Sequence, residues 1–129
     1  MEKVLVCITP QSNSRRLIQK AAAIVAEKQG ELHILHIEKG ENVFAAPESP
    51  QMLQELFAYG SQFGGVCHAQ CGENVPEVIE AFIRAEGIAA VVFGEPPVRG
   101  EAMKSAAPTI VERVHRALPL VEAIVIPRD

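Results

Sequence analysis

Several features that would assign this sequence to a class are missing from it. No apolar run approaches the length needed to cross a bilayer, and Met1-Glu2-Lys3 passes straight into Val4-Leu5-Val6, which reads as a strand and not as a cleavable signal. A cytoplasmic protein with no membrane partner is therefore expected. Like charges are not blocked together: 12 Lys and Arg stand against 16 Asp and Glu, a net charge of −4, and the basic residues are scattered. That pattern argues against a dedicated nucleic-acid surface. Cysteine is sparse and odd in number, and Cys7, Cys67 and Cys71 are expected to be reduced thiols. There is no linker, internal repeat or low-complexity stretch. One domain over residues 1–129 is expected, long enough to fold without a disulfide or a metal.

What the sequence does contain is a regular alternation. Val4-Leu5-Val6-Cys7-Ile8 is a continuous apolar run, as expected of a strand covered on both faces. Thr9-Pro10-Gln11 ends it, Ser12-Asn13-Ser14 offers capping side chains, and Leu17, Ile18, Ala21, Ala22 and Val25 recur at helical spacing up to Gly30. A second strand reads from Leu32 to Ile37. Ser49-Pro50 opens a helix with Leu53, Leu56, Phe57 and Gly60 on one face. Val66 to Cys71 is a weaker strand. Asn74-Val75-Pro76-Glu77 has the form of a capping box before Val78, Ile79, Phe82 and Ile83. Ile88 to Phe93 is another buried strand, and Ile110, Val111, Val114 and Leu118 make a last helix before the strand Val121 to Ile126.

This βαβαβαβαβ order implies an open, doubly wound α/β fold: a five-stranded parallel sheet with helices on both faces. Ligands of such sheets bind beyond the strand C-termini, where strand order reverses. The segments Thr9 to Ser14, Glu38 to Gly40, Gly72 to Asn74 and Gly94 to Thr109 are thus the candidates for chemistry. Cys67-His68-x-x-Cys71 has metal-ligand residue types, but period-two alternation sends both cysteines to one strand face and His68 to the other. No metal is expected there. The cysteines read as buried, His33 and His36 as edge or surface residues, and His115 as solvated. Glu38 has no visible partner carboxylate or nucleophile and reads as a loop residue.

Val4 to Pro10 with Ser14, Leu35-His36-Ile37-Glu38, Val91-Val92-Phe93-Gly94 and Thr109 to Val114 resemble the successive landmarks of the universal stress protein superfamily. Val6-Cys7, Pro10, Ser14 to Ile18, Gly94-Glu95-Pro96 and Leu118 to Val125 are most similar to the cytoplasmic stress-protein domain of potassium-responsive sensor histidine kinases. The chain would be a free-standing relative of that domain. The resemblance implies a Rossmann-like sheet in the order 3-2-1-4-5, often paired into dimers. A homodimer through Val121 to Ile126 is expected, since an apolar edge strand invites a second chain.

ATP-binding members carry an Asp at the end of the first strand, and after the fourth a Gly-x-x-Gly, nine residues, then Gly-Ser/Thr. Here Thr9 stands at the Asp position, Pro97 at the second glycine and Pro108 before Thr109. Proline has no N–H to offer a phosphate and adds a ring where glycine left room. With each lost charge-assisted hydrogen bond worth roughly 1.5–3 kcal/mol, a triphosphate should bind at least about ten times more weakly than in intact-motif relatives. The expected ligand crevice comprises Thr9, Pro10, Ser12, Ser14, Ile37, Gly94, Arg99, Gly100 and Thr109, with Arg99 and Gly100 in a lid and Ile37 walling an adenine pocket by resemblance. Lys104 and Ser105 could also contact an anion. Some sensor-kinase relatives bind cyclic di-AMP through a Ser-x-Ser such as Ser12-Asn13-Ser14, but the aromatic partner is not evident in Leu32 to His36, and helix capping is the plainer reading. No cofactor is required. Two functions stay open: a non-catalytic sensor or adaptor in stress or potassium signalling, binding an adenine nucleotide, a cyclic dinucleotide or a protein partner, and a weak ATPase.

Overall fold

The computed structural model describes residues 2–8, 14–39, 49–94 and 110–126. The chain runs β1 (Lys3–Ile8), α1 (Ser14–Lys28), β2 (Glu31–Lys39), α2 (Ser49–Ser61), β3 (Val66–Gly72), α3 (Val75–Glu86), β4 (Ala90–Gly94), α4 (Ile110–Ala117) and β5 (Glu122–Ile126). The strands form one sheet in the order β3-β2-β1-β4-β5, and every neighbouring pair is parallel, as the alternation of elements requires. No helix among the described residues is long and apolar enough to cross a membrane.

The continuous apolar runs occupy the middle of the sheet because both of its faces are covered. Val4, Val6, Ile8, Leu32, Ile34, Ala90 and Val92 pack with Ile18 and Ala21 of α1 and Leu53 and Leu56 of α2. On the other face, Leu5, Leu35, Val91 and Phe93 pack with Ile79, Phe82 and Ile83 of α3 and Val114 of α4. Strand period two and helix period 3.6 thus meet in two cores, with about 1.5–3 kcal/mol gained for each large side chain fully buried. Strands β3 and β5 lie at the edges, which explains the weaker apolar pattern of Val66 to Gly72.

Helix ends follow local chemistry, with two differences from expectation. Asn74 caps α3 by accepting the N–H of Glu77 at 3.2 Å, and Gly87 ends it by donating its N–H to Ile83. Helix α1, however, does not stop on a left-handed glycine: Gln29 takes that conformation at φ 52°, and Gly30 follows with its N–H on Val25 O at 2.9 Å. Glycine is needed one residue later, since a Cβ at Gly30 would lie 2.5 Å from Glu2 O, the acceptor of the bond that starts β2. The fourth strand also begins at Ala90, two residues after Ile88, because Ile88 still donates to Ile83 O and completes the end of α3.

Candidate functional site

The connections from β1 and β4 leave on opposite faces of the sheet, through α1 and α4, so the crevice between their C-terminal ends is the switch point. The β1–β4 register, with Val6 opposite Val92, sets Ile8 and Gly94 level with each other at this mouth. Of the expected crevice residues, Ser14, Ile37 and Gly94 are described. Thr9, Pro10, Ser12, Arg99, Gly100 and Thr109 lie outside the described residues, as do Lys104, Ser105, Pro97 and Pro108.

Ser14 is buried at the first position of α1. Gly94 is the last residue of β4, and a Cβ there would stand 3.1 and 3.4 Å from the two terminal carbons of Leu17. Its missing side chain therefore first serves the close approach of α1 to the sheet. Ser14 and Gly94 come to the α1 side of the mouth, whereas Ile37 is half-buried in the core beneath α3 and α4. Arg15, beside Ser14, is held by α2: its guanidinium lies 5.1 Å from the centre of the Tyr59 ring.

The expectation of surface histidines was wrong for His33 and His36, which are 4% and 1% exposed. Each face of β2 carries one histidine, His36 with Leu32 and Ile34 and His33 with Leu35 and Ile37, and β2 is an interior strand covered on both sides, so both rings are buried. His36 is a site residue that the sequence reading missed. Its Cα is opposite Ile8, and, because a carbonyl oxygen only accepts, its Nδ1–H donates to the Ile8 carbonyl at 3.3 Å. It thereby fixes the last carbonyl of β1 at the crevice mouth. Only the depth of the strand in the sheet reveals this role.

The thiols offer no nucleophile at the mouth. Cys7 faces the α3–α4 core, and burial pushes its pKa up to about 12, so it stays neutral. Cys67 is half-buried against the α1–α2 core with its pKa raised by burial, while Cys71 is exposed, contrary to the expectation that both were buried. His68 lies against Phe82 on the opposite face from Cys67, as the alternation implied. Among the described residues no group of His, Cys, Asp and Glu is arranged to hold a metal ion. His115 is exposed on α4.

The universal stress protein family model matches residues 1–114. Sensor protein KdpD of Mycobacterium tuberculosis is 27% identical over 95 residues, 72% of this chain, which spans only 11% of that relative's length. A universal stress protein from Archaeoglobus fulgidus DSM 4304 is similar at TM-score 0.73 and 22% identity, over 98% of this chain and 44% of that one. A universal stress protein in complex with cAMP has a TM-score of 0.71 at 14% identity, over 99% and 98% of the two chains. A universal stress protein from Archaeoglobus fulgidus in complex with dAMP has a TM-score of 0.69 at 16% identity, over 98% of each chain. With the family matched from residue 1 to residue 114 and the 3-2-1-4-5 sheet in place, this chain belongs to the universal stress protein family.

Proposed function

We propose that this chain is a non-catalytic sensing or adaptor module of stress or potassium signalling in the cytoplasm, which takes an adenine-containing or anionic ligand weakly. The observation that carries the reading is the strand reversal between β1 and β4, which brings Ser14, Gly94 and the His36-anchored Ile8 carbonyl to one mouth. Thr9, Pro10 and Ser12 follow directly on β1, and Arg99, Gly100 and Thr109 lie between β4 and α4, so chain continuity supports their inclusion. Ile37 would border the adenine from the neighbouring strand. The solved relatives in complex with cAMP and dAMP favour a nucleoside monophosphate over a triphosphate, and so do Pro97 and Pro108 in place of donors.

Catalysis of phosphoryl transfer needs a metal site and a group to orient water. Thr9 in place of a carboxylate speaks against the first, and the neutral Cys7 supplies no nucleophile. Assembly as a homodimer through β5 belongs to the same proposal: β5 is an edge strand, with Val125 41% and Leu120 99% exposed beside it. The deciding experiment is mass spectrometry of small molecules released from freshly purified protein, paired with a magnesium-dependent hydrolysis assay. An adenine-containing or anionic compound with no hydrolysis supports the reading. Sustained ATP turnover that is lost on mutating the crevice establishes the ATPase alternative instead.

A further inference from the structure

We propose that Glu31, His33 and His68 form a pH-operated latch that holds the edge strand β3 and helix α3 together at the end of the sheet opposite the crevice. The proposal stands independently of any nucleotide. His33 is the third residue of β2 and His68 the third of β3, so both lie in the N-terminal halves of their strands. His33 Nε2 is 2.7 Å from Glu31 Oε2, and its Nδ1 is 3.1 Å from His68 Nε2. The two rings lie nearly parallel, 18° apart in plane with centroids at 5.3 Å, and Phe82 of α3 meets the His68 ring edge-on at 4.7 Å.

The proton positions follow from the partners. A carboxylate only accepts, so His33 Nε2 carries a hydrogen, and in the neutral pair His33 Nδ1 accepts from His68 Nε2–H. One added proton fits without breaking either bond: His33 becomes an imidazolium between the Glu31 carboxylate and His68 Nε2, and the His68 hydrogen moves to its Nδ1. A second proton does not fit. Both facing nitrogens then carry hydrogens, their bond is lost, and two cations face each other while the one carboxylate, Glu31, sits on the far side of His33. His68 is the partner that leaves, being half-exposed on an edge strand, whereas His33 is 4% exposed.

The charged surroundings set the direction. Lys3 on β1 shares Glu31 at 4.0 Å, Glu31 itself lies on β2, and Glu86 faces His68 from α3. Burial, then the His33 charge, lower the His68 pKa below its ordinary value, with Glu86 opposing in part. A lowered imidazole value means that the unfolded chain binds the proton first. The stabilisation is complete above the ordinary imidazole pKa and is lost as pH falls through the lowered one.

Histidine Cε1–H NMR from about pH 8 to about pH 5, with amide exchange in parallel, tests the latch. The second step, read at the His68 resonance, should fall below the ordinary imidazole range and move towards it in His33→Gln. Exchange of the Cys67 to Gln70 amides, corrected for intrinsic rate and referred to β1, should rise about tenfold across the second step in wild type and not in His68→Gln. His68→Asn provides a second test of the same loss. A His68 titration unaltered by His33→Gln, or equal acceleration of β3 exchange with and without His68, would overturn the proposal.

Discussion

Replacing Gly94 with Ala separates a packing requirement from a backbone one. The backbone of Gly94 is not in the left-handed region, so alanine can adopt it, and restricting the unfolded chain should by itself stabilise the fold by ~0.4–1 kcal/mol. Opposing this, the new Cβ would stand 3.1 and 3.4 Å from the Leu17 methyls, inside the ordinary carbon contact distance of about 3.5–4.0 Å. Overpacking costs ~1–3 kcal/mol, and the lower end applies because the neighbour is the flexible tip of a half-buried leucine. Gly94→Ala should therefore be near neutral to mildly destabilising in wild type, yet stabilising in a Leu17→Ala background where the crowding is gone. The coupling should be about 1 kcal/mol, equivalent to roughly 3–5 °C in Tm for a chain of this size. Urea unfolding of the four proteins measures it. The same effect of Gly94→Ala in both backgrounds would show that Leu17 is not why glycine is required at the end of β4.

Three further outcomes follow from the same contacts. Phe82→Ala removes a ring that is 5% exposed between α3 and the two histidines, and thermal unfolding should show a loss of ~3–5 kcal/mol. In native protein at neutral pH, a thiol reagent followed by mass spectrometry should label exposed Cys71 first and Cys7 last, since the Cys7 pKa of about 12 leaves almost no thiolate; rapid Cys7 labelling would contradict its burial. Val125→Lys should weaken self-association in ultracentrifugation without unfolding the chain, because Val125 is exposed whereas Ile124 and Ile126 pack against the α1–α2 core. A clean wild-type monomer at high micromolar concentration would remove the dimer.

The central sheet was legible because its residues obey one-dimensional rules. Val4 to Ile8 and Val91 to Phe93 are apolar without interruption, and Asn74 marks the start of α3 in its own side chain. The buried histidines were not legible. His33 pairs with a partner 35 residues away, and an imidazole on an interior strand has the same letter pattern as one on a surface strand. His36 was missed for the same reason, as its acceptor is a backbone carbonyl 28 residues earlier. At Gln29 the left-handed conformation falls on a non-glycine residue because a separate close approach claims the neighbouring glycine, a conflict that appears only once β1 and β2 are paired.

Amide chemical-shift mapping with 5′-AMP and, separately, ATP tests the crevice most directly. Saturable shifts should concentrate at Ile8, Ser14, Ile37 and Gly94, with the monophosphate producing them at weak affinity, ATP binding no more tightly than tens of micromolar (about −6 kcal/mol), and β5 unaffected. Submicromolar ATP affinity, or shifts confined to the β3 edge around His68, would contradict the assignment of the ligand site to the mouth between β1 and β4.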